Sequence, residues 1–205
     1  SGNVEWYIDA SHAVHFDMKG HTGGTMTMGK GSIYSTANSQ KLVARSSTES
    51  ELIAVYDVMP QVLWTQHFLD AQGHTVKNNI IHQDNKSSIL LAKNGRRSSS
   101  KRTRHINIRY FHVADHVAAG TVRIHHCPTK EMLADYFTKP LQGLQFYKLR
   151  DQIMNIDPSS HYHSGHRSVL DTRHPDVTAP VDHPEVSMGA DLVVEDHHTT
   201  DVVAN

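Results

Sequence analysis

Hydrophobic and polar positions alternate early in the chain. Val4-Glu5-Trp6-Tyr7-Ile8 is a short apolar stretch that stops on Asp9. The region from Gly24 to Tyr34, rich in β-forming residues and with Gly29 and Gly31 around Lys30, reads as a hairpin. Three antiparallel strands are therefore expected first. The run Ser46-Ser47-Thr48-Glu49-Ser50-Glu51 then holds two overlapping capping boxes, Ser46 to Glu49 and Thr48 to Glu51, ahead of Leu52, Val55, Met59 and Leu63 at helical spacing. A long helix begins there. Pro60 is expected to kink or divide it, because proline removes an N–H and clashes with the preceding turn. The period resumes through Val62, Leu63 and Phe68 until Gly73.

A second strand-then-acid unit follows at Asn79-Ile80-Ile81-His82-Gln83-Asp84, and Lys86–Lys93 has helical apolar spacing through Ile89, Leu90 and Ala92. Ile106–Ala119 places Ile106, Tyr110, Val113 and Val117 on one helical face; a strand over Thr121–His126 and a last helix from about Met132 complete the order. Strands and helices in this order predict an α/β domain over residues 1–157, with a mixed sheet covered by helices. Residues 158–205 show neither a two-residue nor a 3.6-residue apolar period and read as a disordered, acidic, His-containing tail.

Charge sharpens that division. Residues 1–157 carry 18 Lys+Arg against 13 Asp+Glu, a net of +5, whereas residues 158–205 carry 2 against 8, a net of −6. The near-neutral total is a cancellation. Seven of the 18 His fall in the tail; clustered His can bind Zn²⁺ or Ni²⁺, but without Cys or regular ligand spacing the tail reads as solvated low-complexity chain. One cysteine cannot close an internal disulfide, no apolar run approaches the ~18 residues of a spanning helix, and no signal-peptide pattern opens the chain. An intracellular, soluble protein with no membrane partner is expected.

Candidate chemistry rests on four acids. Asp9 and Asp84 end strands, Glu51 lies in the first turns of a helix and Asp135 at the start of the last one. In such a sheet these positions can converge at one rim. Four carboxylates together repel one another unless cations join them, and hard oxygen ligands suit Mg²⁺ or Mn²⁺. Taken singly, each acid also reads as a cap or turn residue; Glu49, three residues after Ser46, is assigned the cap. From Asn85 to Ala114 there is no acid, while Lys86, Lys93, Arg96, Arg97, Lys101, Arg102, Arg104 and Arg109 are all positive, a strip suited to a polyanion. A charge run is usually a solvated loop, but the position of this one directly after the acid-bearing strand favours nucleic acid. The strip's aromatic residues are too sparse to support base stacking.

Several motifs then line up in order: Ile8-Asp9-Ala10-Ser11, His21-Thr22-Gly23-Gly24, Ser46 through Glu51, Asp84-Asn85, Arg102-Thr103-Arg104-His105-Ile106-Asn107-Ile108-Arg109-Tyr110, and Ala134-Asp135-Tyr136-Phe137-Thr138-Lys139-Pro140-Leu141. Over residues 5 to 156 the chain resembles the ribonuclease H domain of copia-like LTR retrotransposon Pol polyproteins. The resemblance implies a ribonuclease H-like fold, a mixed five-stranded sheet flanked by helices. It implies Asp9, Glu51, Asp84 and Asp135 as catalytic, metal-binding acids holding two Mg²⁺ ions, with Mn²⁺ as a substitute. Glu51 is taken over Glu49 because the family's Glu precedes an apolar residue and then Ala, as in Glu51-Leu52-Ile53-Ala54. His105 is an auxiliary candidate, with a packing or capping residue as the equal alternative, and Lys101, Arg102, Arg104 and Arg109 are the nucleic-acid-binding candidates. The family places a reverse transcriptase domain upstream in the same polyprotein, and a chain opening on Ser1-Gly2 looks like a fragment of one.

The resemblance also has departures. Cellular ribonucleases H carry a Gly-His loop before the last acid, where this chain reads Cys127-Pro128-Thr129-Lys130, so no His role carries over to that loop. Asn107 stands where relatives commonly show Asp. His125 and His126 fall on a strand, one facing each way, as structural or surface residues. The expected activity is metal-dependent endonucleolytic hydrolysis of the RNA strand of an RNA–DNA hybrid during reverse transcription. Two ions ~3.5–4 Å apart would serve an in-line displacement, and 2′-OH contacts would select RNA. The expected location is a cytoplasmic virus-like particle, extending to the nucleus. A non-catalytic, connection-like nucleic-acid-binding module of the same fold is the alternative. A DNA strand-transferring enzyme ranks last, since it would need a Glu on a late helix where Asp135 stands.

Overall fold

The computed structural model describes residues 2–94 and 107–157. Its elements run β1 (Asn3–Ser11), β2 (His21–Thr27), β3 (Tyr34–Ser39), α1 (Ser47–Ala71), β4 (Asn78–Gln83), α2 (Lys86–Asn94), α3 (Asn107–Ala118), β5 (Arg123–His126), α4 (Asp135–Thr138) and α5 (Gly143–Met154), with a 3₁₀ turn at Thr129–Glu131. The five strands form one sheet in the order β3-β2-β1-β4-β5. β1 pairs antiparallel with β2 and parallel with β4, β2 pairs antiparallel with β3, and β4 pairs parallel with β5. Parallel neighbours need crossovers, and helices supply them: α1 leads back to β4, and α2 with α3 leads to β5. This is the mixed five-stranded sheet with flanking helices that the sequence implied.

The core lies between the sheet and α1. Val4, Trp6 and Ile8 alternate along β1 and, with Ile81 and Ile124, bury against Leu52, Val55, Met59 and Val62. Tyr110 and Val113 of α3 close the same cluster beside Ile89 and Ala92 of α2. The start of α1 follows from its cap: Ser46 Oγ accepts the Glu49 N–H at 3.2 Å, and Glu49 Oε2 accepts the Arg45 N–H at 2.8 Å. Buried Gln40 then pins that end to β2, donating from Nε2 to the Ser50 carbonyl at 2.8 Å and to Thr22 Oγ1 at 3.2 Å.

The structure corrects several expectations. β1 continues past Asp9, because Ala10 and Ser11 still pair with Thr22 and His21. Pro60 does not divide α1; it is exposed, so the missing N–H falls on the solvent side of a helix held along its other face. Phe68 and Leu90, placed with the apolar faces by spacing, are 47% and 59% exposed. The final strand begins at Arg123, since the Thr121 and Val122 N–H groups are spent on the His116 carbonyl that closes α3. The single last helix is broken in two. Lys139, before Pro140, is extended at φ −125° and ψ 143°, as a residue before proline prefers, and the chain re-enters a helix only at Gly143. His125 and His126, adjacent on β5, are both exposed, in keeping with surface residues. Among the described residues no helix is long and apolar enough to cross a membrane. The 158–205 tail lies outside the described residues.

Candidate functional site

Three carboxylates meet at the end of the sheet. Asp9 on β1, Glu51 in the second turn of α1 and Asp84, just past the end of β4, each offer an oxygen, and these atoms all lie within 4.8 Å of one another. Asp9 is 1% and Glu51 6% exposed, while Asp84 is half-buried, so the cluster opens beside Asp84. Each placement has a local cause. Asp84 directly precedes Asn85, whose Oδ1 accepts the Ser88 N–H at 3.0 Å and starts α2. Glu51 follows from the Ser46 cap and the Gln40 clamp on Ser50.

Asp135, the first residue of α4, sits beside this triad without joining its closest set. Lys139 Nζ holds Asp135 Oδ1 at 2.6 Å and lies 3.7 Å from Asp9 Oδ2. Thr138 Oγ1 donates to Asp9 Oδ2, and Ser11 Oγ donates to the Thr138 carbonyl at 2.5 Å. Gly23 permits this approach. A Cβ there would lie 2.5 Å from Thr138 Cγ2 and 3.1 Å from the Ala134 carbonyl oxygen. Since Gly23 pairs with Asp9 in the sheet, its missing side chain is what lets α4 lie against the acid-bearing strand.

Burial dominates the electrostatics. Loss of hydration pushes the Glu51 carboxyl up to about 9, reinforced by the Asp9 charge and opposed by hydrogen bonds from Gln83 and the Ala10 backbone N–H. Loss of hydration likewise raises Asp9 to about 6, opposed by Thr138 and Lys139, and it raises Asp135, opposed by Lys139. Ionisation in such a pocket is costly, and a cation offsets that cost. Hard, ionisable oxygens in close convergence are compatible with a divalent cation.

Three supporting side chains escaped the sequence reading. Gln83 Nε2 donates to Glu51 Oε2 at 3.0 Å while its Oε1 accepts the Asn85 N–H at 3.0 Å, linking two of the acid-bearing segments. Its parity with Asn79 and Ile81 on β4 was the available signal. Thr129 Oγ1 donates to Asp84 Oδ2 at 3.0 Å, so the stretch that lacks the Gly-His loop still reaches the site. Lys139 was visible as part of a motif, but its partners were not.

Arg109 lies over the Tyr56 ring at 5.2 Å and opposes the burial that raises the Asp57 carboxyl, so its described neighbours belong to α1. Lys101, Arg102, Arg104 and His105 lie outside the described residues.

No family model matches the chain. It is 34% identical over 144 residues to the retrovirus-related Pol polyprotein from transposon TNT 1-94 of Nicotiana tabacum, covering 70% of this chain and 11% of the polyprotein. It is 31% identical over 157 residues to that from transposon RE2 of Arabidopsis thaliana, covering 75% of this chain and 11% of the polyprotein. Among solved structures, LC11-RNase H1, isolated from compost by a metagenomic approach, is similar at a TM-score of 0.49 and 13% identity, over 67% of this chain and 93% of that one. The chain spans about a tenth of the length of these polyproteins, and it belongs with the retrovirus-related Pol polyproteins of plant transposons, built on a mixed five-stranded sheet flanked by helices.

Proposed function

We propose that this chain is a metal-dependent endonuclease that hydrolyses the RNA strand of RNA–DNA hybrids during reverse transcription of a retrotransposon. The observation that carries the reading is the buried convergence of Asp9, Glu51 and Asp84 within 4.8 Å, with Asp135 alongside. Asp9, Glu51, Asp84 and Asp135 would hold Mg²⁺ or Mn²⁺, which supplies Lewis-acid activation of water and neutralises charge at the phosphate. The protein's own part is positioning. Gln83 orients Glu51, Thr138 orients Asp9 and Thr129 orients Asp84, so three of the four acids are held by a neutral donor before any substrate arrives. The half-buried Asp84 side is where a phosphate would enter. Lys101, Arg102, Arg104 and Arg109 are proposed to hold the nucleic-acid backbone, which positions the strand without reading its sequence. His105 is proposed as an auxiliary residue, and the partner domain as an upstream reverse transcriptase.

The test is cleavage of a labelled RNA–DNA hybrid beside a DNA duplex, with and without Mg²⁺, by the chain and by Asp84→Asn. Cleavage of the hybrid's RNA strand should require the ion. The variant should lose more than the ~10–100-fold that removing a ligand's outer partner costs, with hybrid binding little changed. Full activity in Asp84→Asn would eliminate the mechanism. Binding without hydrolysis in both Mg²⁺ and Mn²⁺ would establish the non-catalytic module instead.

A further inference from the structure

Two consecutive residues at the end of α4 turn back onto the acids. Thr138 gives Asp9 a neutral donor; Lys139 gives the Asp9–Asp135 pair a charge. The Lys139 backbone is itself anchored, its N–H donating to the Asp135 carbonyl at 3.0 Å. Its side chain is 36% exposed, whereas those of Asp9 and Asp135 are 2% and 6% exposed. The Lys139 side chain is partly exposed while its ammonium contacts two buried carboxylates, so it can leave them without unpacking the core.

The geometry divides the four acids into two cation positions that share Asp9. Asp9, Glu51 and Asp84 form one, by the convergence of their oxygens. Asp9 and Asp135 form the other, and Lys139 Nζ stands between them. An ammonium and a divalent ion cannot occupy that pair together, since like charges a few ångströms apart in a buried site repel strongly.

We propose that Lys139 is a resident counter-cation of the second position: its ammonium neutralises the Asp9–Asp135 pair, and a second divalent ion binds there only by displacing it. The inference rests on the metal-binding role given above to these acids, but not on hydrolysis. Ion binding is then ordered. The first ion enters at Asp9, Glu51 and Asp84 without displacing Lys139 from Asp135, and the second competes with a tethered charge. A displaced ammonium on a partly exposed side chain is free to contact the phosphate of a bound strand, which offsets the loss of its carboxylates. Substrate thereby favours loading of the second ion.

Calorimetric titration of the full chain with Mn²⁺, alone and with a non-cleavable hybrid, tests this. Histidines elsewhere contribute equally in every variant. The chain should bind a second ion more weakly than the first, by a factor within the usual coupling range of about 5–150-fold. Lys139→Met should tighten the second ion more than the first, while Lys139→Arg should keep the original pattern. In chelator, Lys139→Met should melt below the parent, with the difference closing at saturating Mn²⁺. If Lys139→Met does not fold, Lys139→Gln carries the same comparison. Identical isotherms for the parent and the uncharged variant, or weaker second-ion binding in the variant, would overturn the proposal. Asp84→Asn separates the two readings. Unchanged first-ion binding in that variant removes the metal site itself, whereas the expected Lys139 pattern without hybrid cleavage removes only the nuclease reading.

Discussion

Glu49 and Glu51 stand two residues apart on one helix and do different work. Glu49 satisfies the Arg45 N–H at the helix entrance, while Glu51 turns inward to 6% exposure beside Asp9 and Asp84. Capping-box spacing suits both, Glu49 after Ser46 and Glu51 after Thr48, and the family resemblance favours Glu51 as the site acid. The energetic state of Glu51 was not legible in sequence, because it comes from burial. That burial has a consequence for pH. Glu51 and Asp9 have folded pKa values of about 9 and about 6, above their ordinary 4.5 and 3.8, so the folded chain keeps protons that the unfolded chain releases. Stability in chelator should therefore fall as pH rises above the ordinary values, through 6 and on towards 9, and level off beyond. Thermal melts across this range should show the decline. Glu51→Gln should flatten its upper part, and added Mg²⁺ should oppose it; a flat profile for the parent chain in chelator would refute the assignment.

At the scale of elements, the site depends on how closely α4 approaches β2. The motif containing Gly23 and Gly24 was readable as a motif, yet nothing local said what the glycine was for. The structure supplies the reason in the 2.5 Å that would separate a Cβ at residue 23 from Thr138 Cγ2. Gly23→Ala should displace α4, weaken the Thr138 contact to Asp9 and destabilise the chain by roughly 1–3 kcal/mol, the usual cost of overpacking. Denaturant unfolding measures the loss, and a Mn²⁺ titration should show weakened ion binding. A variant with parental stability and ion affinity would mean that the contact does not position Asp9. The same neighbourhood explains why the last helical stretch is two helices. Spacing from Met132 onward is helical enough, but Pro140 forces Lys139 out of the helix, and that break aims Lys139 at the acids.

Across the whole molecule, charge is distributed unevenly, with +5 over residues 1–157 and −6 over residues 158–205. If the tail competes for the basic strip, truncation after residue 157 should raise hybrid affinity at low salt, with the gain shrinking as salt screens both interactions. Fluorescence anisotropy over a salt series measures it, and equal low-salt affinities would dispose of the competition. The sequence by itself determined the elements and the acid positions: apolar periods of 2 and 3.6, the Ser46 cap and the acids after strand-like runs are all local, set by residues a few positions apart. Only the tertiary structure decided that the acids share one buried pocket, that α4 rests on Gly23, and that Lys139 stands between Asp9 and Asp135. Those outcomes depend on contacts such as Thr138 to Asp9, 129 residues apart, and on the loss of hydration that packing imposes. Neither a chain-distant contact nor a burial cost leaves a periodic trace in the sequence.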